Sequence, residues 1–310
     1  MTGVDDDLPI IDAHHHFWDP EKNYHPWLRD EPMIPFRYGD YSSIRERFLP
    51  DEYKGLHGPH NVVASVTMEG EWDESDPVAE SAWMSELANE QGTPAAHVAR
   101  AFLHRDDAVD VIAAHAEFPL VRGIRHKPTA AARPELVERG VPGSLSDPNW
   151  QNGYAELAKN GLHFELQAPW WHTDELLALT DRYPETPVVI NHGFMPVDRS
   201  KDALTAWKKA VRRAAEAPHF SMKISGIGIA GREWQLDDHM SVIYALLEAF
   251  DSERCMFASN FPVDGLSGSF ETIYEGYKRS VSDISRSEKL KLFHDNAVRI
   301  YGLDIKPLAE

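Results

Sequence analysis

Two histidines stand two residues apart near the N-terminus, in the segment Asp-Ala-His-His-His at residues 12–16. The short apolar run Leu-Pro-Ile-Ile at residues 8–11 precedes them. Side chains two apart in an extended strand share a face, so His14 and His16 would project together from the end of a first strand. Imidazole is a common metal ligand and the usual proton carrier near neutral pH. The pair therefore indicates a metal site or acid–base chemistry, against the alternative of exposed histidines in a loop.

Polar and ionisable side chains recur at the ends of later apolar runs. In chain order they are Glu69, Arg125, His126, Gln167, Asn191, His192, Lys223, Ser225, Ser259 and Asn260. Packing does not explain polar groups that collect after apolar strand interiors. If the strands lie side by side and parallel, these ends meet at one edge, and we expect an active site there.

The apolar runs alternate with segments of helical spacing. The predicted strands are Pro9–His14, Asn61–Glu69, His97–Phe102, Val121–Arg125, His163–Gln167, Val188–Asn191, Phe220–Ile224 and Cys255–Ser259. The predicted helices are Pro77–Gln91, Asp106–Glu117, Asn149–Asn160, His172–Tyr183, Lys201–Ala217 and Asp238–Phe250. Eight such units in 310 residues favour an α/β fold of the closed (β/α)8 TIM-barrel type over an open doubly wound sheet. No Gly-x-Gly-x-x-Gly follows the first strand, which weighs against a dinucleotide-binding fold.

No long Ser/Gly-rich or Pro-rich linker divides the chain, and we expect residues 1–310 to form a single barrel domain. Two connections are longer than ordinary loops, at about residues 17–59 after the first strand and 127–148 after the fourth. Long loops at the C-terminal ends of strands are where a barrel builds its site. These two loops are therefore predicted to surround the mouth of the barrel.

Composition narrows the partners and the location. Lys and Arg total 31 against 50 for Asp and Glu, a formal charge of -19, and a field of this sign repels nucleic acid and anionic membranes. A small-molecule substrate is the expected partner, with self-association into a homo-oligomer left open. The one cysteine, Cys255, excludes an intrachain disulfide. Residues 1–7 lack the features of a secretory signal and no apolar run suits a membrane span, so a cytoplasmic location is expected.

Five short motifs, in this order, resemble the amidohydrolase superfamily. They are His14-x-His16, Gly-Ile-Arg125, Ile-Asn-His192, Met-Lys-Ile-Ser225 and Met-Phe-Ala-Ser259-Asn260-Phe-Pro. The segments 68–73 and 76–80 are similar to the second-strand region of its amidohydrolase-2 branch, which includes sugar-acid lactonases and 2-pyrone-4,6-dicarboxylate lactonase. The resemblance extends from about residue 9 to Gly302. It implies a (β/α)8 barrel that cleaves an ester, usually in a lactone ring, by adding water.

The resemblance also implies roles for individual residues. His14, His16 and His192 would line the reaction centre, where they hold one divalent metal or polarise the carbonyl directly. Arg125 would bind a carboxylate or hydroxyl of the substrate. Further candidates for substrate binding are His126, Lys127, Gln167, Trp18 and Trp72. The tryptophan rings suit the face of a sugar or pyrone, although loop tryptophans also cap barrels without binding anything.

The chain departs from the family pattern at two strand ends. The eighth-strand position holds Asn260 where the family usually has Asp. An amide cannot accept a proton at neutral pH, and it is a weaker metal ligand than a carboxylate. The fifth strand ends in Gln167 rather than His, which disfavours a binuclear site. A site without cofactor is therefore preferred over one that holds a single zinc ion on His14, His16 and His192.

Without a carboxylate at position 260, the general base must lie elsewhere. Glu69, at the end of the second strand, is ranked first because it is close to the first strand; the alternative for Glu69 is a structural partner of Arg125 or of a histidine. Asp264 is ranked second, because only a turn would bring it back to the barrel mouth. A histidine is the remaining candidate.

The sequence therefore predicts a lactonase that opens the ring of a sugar acid or pyrone-type carboxylate, with His14, His16, His192, Glu69 and Asn260 as catalytic residues. One alternative is a metal-dependent decarboxylase or hydratase of the same superfamily, since fold alone does not choose the reaction. The other is a catalytically impaired barrel that only binds a ligand, which Asn260 would explain.

Overall fold

Eight parallel strands form the centre of the fold. The computed structural model describes residues 7–309. Of residues 1–7, which were expected not to be a secretory signal, only Asp7 lies within the described range. The strands in this range are β1 (Ile10–His15), β2 (Val62–Met68), β3 (Ala96–Arg100), β4 (Val121–Arg125), β5 (His163–Leu166), β6 (Val188–Ile190), β7 (Phe220–Ile224) and β8 (Cys255–Phe257). Each is parallel to the next along the chain. All eight predicted strands are present, with ends moved by no more than two residues.

Hydrogen bonds join the first strand to the segment that follows the last. The Asn260 amide donates to the His14 carbonyl at 2.7 Å, and the His16 amide donates to the Phe261 carbonyl at 2.8 Å. One residue earlier, the Ser259 amide donates to the buried Asp12 carboxylate at 2.8 Å. These contacts nearly close the sheet, and the (β/α)8 TIM-barrel prediction is confirmed.

Helices connect the strands on the outside of the barrel. Within residues 7–309 they are α1 (Pro26–Arg29), α2 (Pro50–Gly55), α3 (Val78–Gln91), α4 (Ala108–Ala116), α5 (Pro148–Lys159), α6 (Thr173–Arg182), α7 (Lys201–Ala215), α8 (Leu236–Arg254), α9 (Phe270–Ser280), α10 (Arg286–Leu290) and α11 (Asn296–Tyr301). The six predicted helices correspond to α3–α8. None of the helices in the described part of the chain combines the length and hydropathy that a membrane crossing requires.

The two long connections pack against different parts of the barrel. The connection after β1 folds over the mouth around its own small apolar cluster, which contains Trp18, Leu28, Tyr41 and Ile44. The Trp18 indole nitrogen donates to two backbone carbonyls of this loop at 3.0 Å, which fixes the ring. The connection after β4 is tied instead to the turn that precedes α6, because Trp171 in that turn donates to a carbonyl of the connection at 2.9 Å. The first loop therefore contributes most to the site.

Candidate active site

A cavity of about 240 Å³ opens at the C-terminal ends of the strands, the end at which (β/α)8 barrels place their sites. Its wall includes His16, Trp18, Glu69, Arg125, Lys127, Gln167, His192 and Asn260 from the predicted set. The wall also includes Trp27, Ile34, Phe36, Arg37, Gly70, Glu71 and Val263. Most of the second group comes from the loop after β1.

His16 presents one defined nitrogen to the cavity. Its Nδ1 lies 3.1 Å from the Met68 carbonyl oxygen, and because a carbonyl only accepts, Nδ1 carries the proton. Burial, and next the positive charge of Arg125, hold the pKa of His16 well below its usual value. The ring is therefore neutral, and its Nε2 is an unprotonated acceptor on the cavity side.

His14 lies behind the cavity wall rather than on it. Its ring centroid is 4.6 Å from that of His192 and 5.3 Å from that of His16. Arg125 Nη1 is 3.3 Å from one ring nitrogen, and Lys223 Nζ is 3.5 Å from the other. Burial, followed by the charge of Lys223, holds the pKa of His14 well below its usual value. The three predicted histidines thus lie together, and His14 is the neutral support of the other two.

His192 follows β6 in a left-handed backbone conformation, with φ 55°, which side-chain-bearing residues seldom adopt. Its Nδ1 is 3.0 Å from the Ser225 hydroxyl. Gly226, beside the ring, has φ 56°, and a Cβ at that position would overlap the imidazole. Only glycine therefore leaves room for this ring. Strained backbone that persists because its surroundings hold it is typical of functional sites.

Arg125 and Glu69 form a closed ion pair on the cavity wall. Arg125 Nε donates to Glu69 Oε1 at 2.6 Å and Nη2 donates to the Glu69 carbonyl at 2.7 Å. The Glu71 amide donates to the other carboxylate oxygen at 2.9 Å. Burial opposes ionisation, but Arg125 and then Arg100 lower the pKa of Glu69 to about 2. Glu69, ranked first as a general base, is instead a permanently charged structural partner of Arg125.

This pairing also changes the predicted role of Arg125. Its third nitrogen, Nη1, contacts Gln167 Oε1 at 3.2 Å as well as His14. With all three guanidinium nitrogens engaged, Arg125 has no free two-pronged face for a carboxylate. It acts on the cavity as a fixed, buried positive charge.

A second closed pair lies deeper in the barrel, and the sequence analysis did not name its acid. Lys223 Nζ is 2.9 Å from Glu165 Oε2, and Tyr301 donates to the other oxygen at 2.8 Å. Burial lowers the pKa of Lys223 to about 8, and Lys223 overcomes burial to lower the pKa of Glu165 to about 2. A Glu inside a strand of apolar residues signals a buried partner, so this pair was open to detection.

The family follows from this fold, these strand ends and one match. The family model described as Amidohydrolase matches residues 11–303. The chain belongs to the amidohydrolase family. It is 35% identical to uncharacterized protein y4mH of Sinorhizobium fredii (strain NBRC 101917 / NGR234), over 95% of this chain and 99% of that protein. It is 26% identical to L-fucono-1,5-lactonase of Burkholderia multivorans (strain ATCC 17616 / 249), over 94% of this chain and 96% of that protein.

The solved structures agree with the sequence matches. A Burkholderia multivorans amidohydrolase with bound zinc aligns with a TM-score of 0.76 at 25% identity, covering 95% of this chain and 99% of that one. The predicted amidohydrolase-2 branch is confirmed, and the protein is an enzyme of this superfamily. Lactonase activity is named for a relative at 26% identity, so membership of the family does not by itself fix the reaction of this amidohydrolase.

Besides His14, three predicted site residues of this amidohydrolase lie outside the cavity wall. His126 Nδ1 accepts from the Trp150 indole at 2.9 Å and from the Leu103 amide at 3.2 Å, which makes it a packing residue behind β4. Trp72 packs against His25, with ring centroids 5.2 Å apart. Asp264 is fully buried behind Asn260. In each case the local backbone, an extended segment or a turn, directs the side chain away from the mouth.

The donor atoms at this mouth do not fit the zinc ion that a relative holds. Both nitrogens of His14 face cations, and one nitrogen each of His16 and His192 is engaged by Met68 and Ser225. That leaves two imidazole nitrogens and the neutral amide of Asn260, beside the charge of Arg125, where zinc sites use four ligands. Among residues 7–309, no group of three His, Cys, Asp or Glu side chains has a metal-binding arrangement.

Proposed function

We propose that this amidohydrolase hydrolyses the ester bond of a lactone ring in a sugar acid or a pyrone-type carboxylate. The observation that carries the proposal is the state of His16, a neutral imidazole whose Nδ1 proton is fixed on Met68 and whose Nε2 faces the cavity. An acceptor of this kind takes a proton from water. The 26% identity to L-fucono-1,5-lactonase of Burkholderia multivorans supports an ester substrate.

In the proposed reaction, His16 Nε2 takes a proton from a water molecule as its oxygen bonds to the lactone carbonyl carbon. His192 donates from Nε2 to the carbonyl oxygen, in the tautomer whose Nδ1 accepts from Ser225. The fixed charge of Arg125 favours the negative tetrahedral intermediate. The intermediate expels the ring oxygen, which takes the proton back from His16, and the product is an open hydroxy acid.

The cavity suits a single flat ring. Trp18 stacks on His16, with ring centroids 5.8 Å apart and the two ring planes at 28°. Trp27 and Phe36 stack on each other at 5.7 Å and 12° and close the outer wall. Arg37, with 26% of its side chain exposed, and the half-exposed pair Lys127–Glu71 provide polar groups at the rim. Such a wall packs against the ring and leaves its substituents to the polar rim.

A panel of sugar 1,4- and 1,5-lactones and pyrone carboxylates, assayed by acid release with a pH indicator, tests the proposal. We expect at least one ring to open with a kcat/KM that depends on His16. In parallel, hydroxybenzoates are assayed for CO2 release. Decarboxylation without lactone opening, or tight binding of lactones without turnover, would replace this proposal with one of the two alternative functions.

A further inference from the structure

The carboxylate missing from position 260 reappears one turn later, directly behind the amide. Asp264 lies in the helical turn Val263–Leu266, and its backbone amide donates to the Asn260 carbonyl at 3.0 Å. Asp264 Oδ1 accepts from Asn260 Nδ2 at 2.7 Å. The Asp264 side chain is fully buried, whereas Asn260 lines the cavity.

Two residues of the long loop after β1 complete this arrangement. The Tyr38 hydroxyl donates to the same oxygen, Asp264 Oδ1, at 2.9 Å. Arg37 Nη2 lies 3.8 Å from it and also donates to the Tyr38 oxygen and to the Gly226 carbonyl. Burial leaves the pKa of Asp264 above its usual value, although Arg37, Asn260 and Tyr38 act in the opposite direction. Two hydrogen-bond donors, Tyr38 and Asn260, converge on Oδ1, so this oxygen is an acceptor.

This contact decides which end of the Asn260 amide faces the substrate. Asp264 Oδ1 accepts from the Tyr38 hydroxyl and from Asn260 Nδ2, so the NH2 end of the amide points to Asp264 and the Asn260 Oδ1 points to the cavity. A flipped amide would set Oδ1 against the carboxylate. The backbone of Asn260, at φ 55°, is in turn fixed by its hydrogen bond to the His14 carbonyl.

We propose that Asp264 is a positioning residue that holds Asn260 Oδ1 toward the cavity, where Asn260 orients the attacking water and His16 takes its proton. The inference rests on the proposed lactone hydrolysis. A single carboxylate could both orient the water and take its proton. Here the Asn260 amide orients the water, and the His16 imidazole takes the proton. Through Tyr38 and Arg37, which contact Asp264, the long loop after β1 also helps to hold Asn260 in place.

Kinetics on the best lactone distinguish positioning from acid–base catalysis. For Asp264→Asn we expect kcat to fall about 10- to 100-fold, the effect of a small misplacement of reacting groups. KM should stay within about threefold, and the acid limb of the pH profile should keep its position. Tyr38→Phe, which removes one donor and keeps the fold, should show the same pattern more weakly. The exposed Asp202→Asn is the matched control and should match wild type.

The swapped variant Asn260→Asp/Asp264→Asn sharpens the test. It restores one amide and one carboxylate at 2.7 Å but puts the carboxylate on the cavity wall. We expect it to fold like the wild type and to gain a new acid limb in its pH profile. Wild-type kcat in Asp264→Asn and Tyr38→Phe would overturn the proposal. So would an acid limb abolished by Asp264→Asn, which would make Asp264 itself the base.

A readout without turnover separates this inference from the proposed function. In protein labelled with 15N-asparagine, the Asn260 side-chain NH2 is assigned by its loss in Asn260→Asp. We expect slow hydrogen exchange for this NH2 in wild type and fast exchange in Asp264→Asn. A failed lactone panel with this result intact would overturn only the proposed function. Equal, fast exchange in both proteins would overturn the positioning of Asn260.

Discussion

The two sides of the barrel mouth differ in how their polar groups are satisfied. On the open side, which comprises His16, His192 and Asn260, each side chain is held from behind through one atom and presents another to the cavity. On the paired side, which comprises Glu69–Arg125 and Glu165–Lys223, carboxylates and cations neutralise each other. Ionisable type alone does not separate the two sides, since both hold groups that catalyse reactions in other enzymes.

This difference indicates that the open side serves catalysis and that the paired side serves mainly the stability of the fold. A group with a free acceptor can bind or deprotonate a substrate, whereas a buried ion pair costs several kcal/mol to break and has no unpaired hydrogen-bonding atom for a ligand. Changes on the open side should therefore reduce activity at little cost in stability. Changes on the paired side should mainly reduce stability, and they should affect activity only through the charge that Arg125 presents to the cavity.

The largest expected effect on activity is that of His16→Asn. The amide nitrogen of asparagine can replace Nδ1 as donor to Met68, but nothing replaces Nε2. We expect kcat/KM to fall about 10²- to 10⁴-fold, the range for a general base, with unchanged thermal stability. The exposed His104→Asn is the control. Activity within threefold of wild type would place the base elsewhere.

The largest expected effect on stability is that of Glu69→Gln. It leaves Arg125 buried without an opposite charge, which should lower the free energy of unfolding by about 3–5 kcal/mol in urea titration. Glu71→Gln breaks the half-exposed pair with Lys127, whose side chains are 33% and 39% exposed, and should cost less than about 1 kcal/mol. Equal losses in the two variants would remove the distinction between buried and exposed pairs at this wall.

The two sides should also lose stability in different pH windows. His14, His16 and His192 have folded pKa values below 6.5, so their contribution is present above pH 6.5 and is lost as pH falls from there. Glu69 and Glu165, at about 2 against 4.5, lose theirs between pH 4.5 and 2. Each group contributes a slope of up to about 1.4 kcal/mol per pH unit.

Unfolding titrations at several pH values measure these slopes. His16→Asn should flatten the slope between pH 6.5 and 4.5, and Glu69→Gln should flatten it only below 4.5. A rise in stability on acidification from pH 7 to 5 would contradict the neutral state of the histidines.

Gly226→Ala tests the room left for His192. The added Cβ would push the imidazole away from Ser225, and we expect kcat/KM to fall roughly tenfold or more. Gly92→Ala is the matched control, because Gly92 also has a positive φ, 71°, but no atom lies within 4 Å of a Cβ there. Both variants should lose about 1–3 kcal/mol of stability from backbone strain. Equal activity in the two would show that the ring adapts.

The smallest expected effect is that of metal removal. Because the available donors are two neutral imidazole nitrogens and an amide, dialysis against a chelator should change kcat/KM by less than about twofold. Elemental analysis of the purified protein checks the starting content. Stoichiometric zinc whose removal abolishes activity would show that the open side rearranges around a metal.

Much of the fold was predictable because each element has a local cause. Apolar runs of strand length and helices of 3.6-residue spacing repeat through the chain, and all eight strands were found within two residues of their observed ends. The polar residues at strand ends were predictable for the same reason, since parallel neighbouring strands must bring their ends to one rim. His16, His192 and Asn260 lie on the cavity wall on that account.

The sequence by itself determined the barrel, the rim residues and the absence of a carboxylate at position 260. Only the tertiary structure decided which rim side chains have an atom available for a substrate. Glu69 and Glu165 are of a residue type that can act as a catalytic base, but their carboxylates are held in ion pairs with Arg125 and Lys223. The loop after β1 brings Arg37 and Tyr38 onto Asp264, more than two hundred residues along the chain. Tertiary packing sets hydrogen-bond partners that are so distant in sequence, and a local pattern of residues therefore cannot predict them.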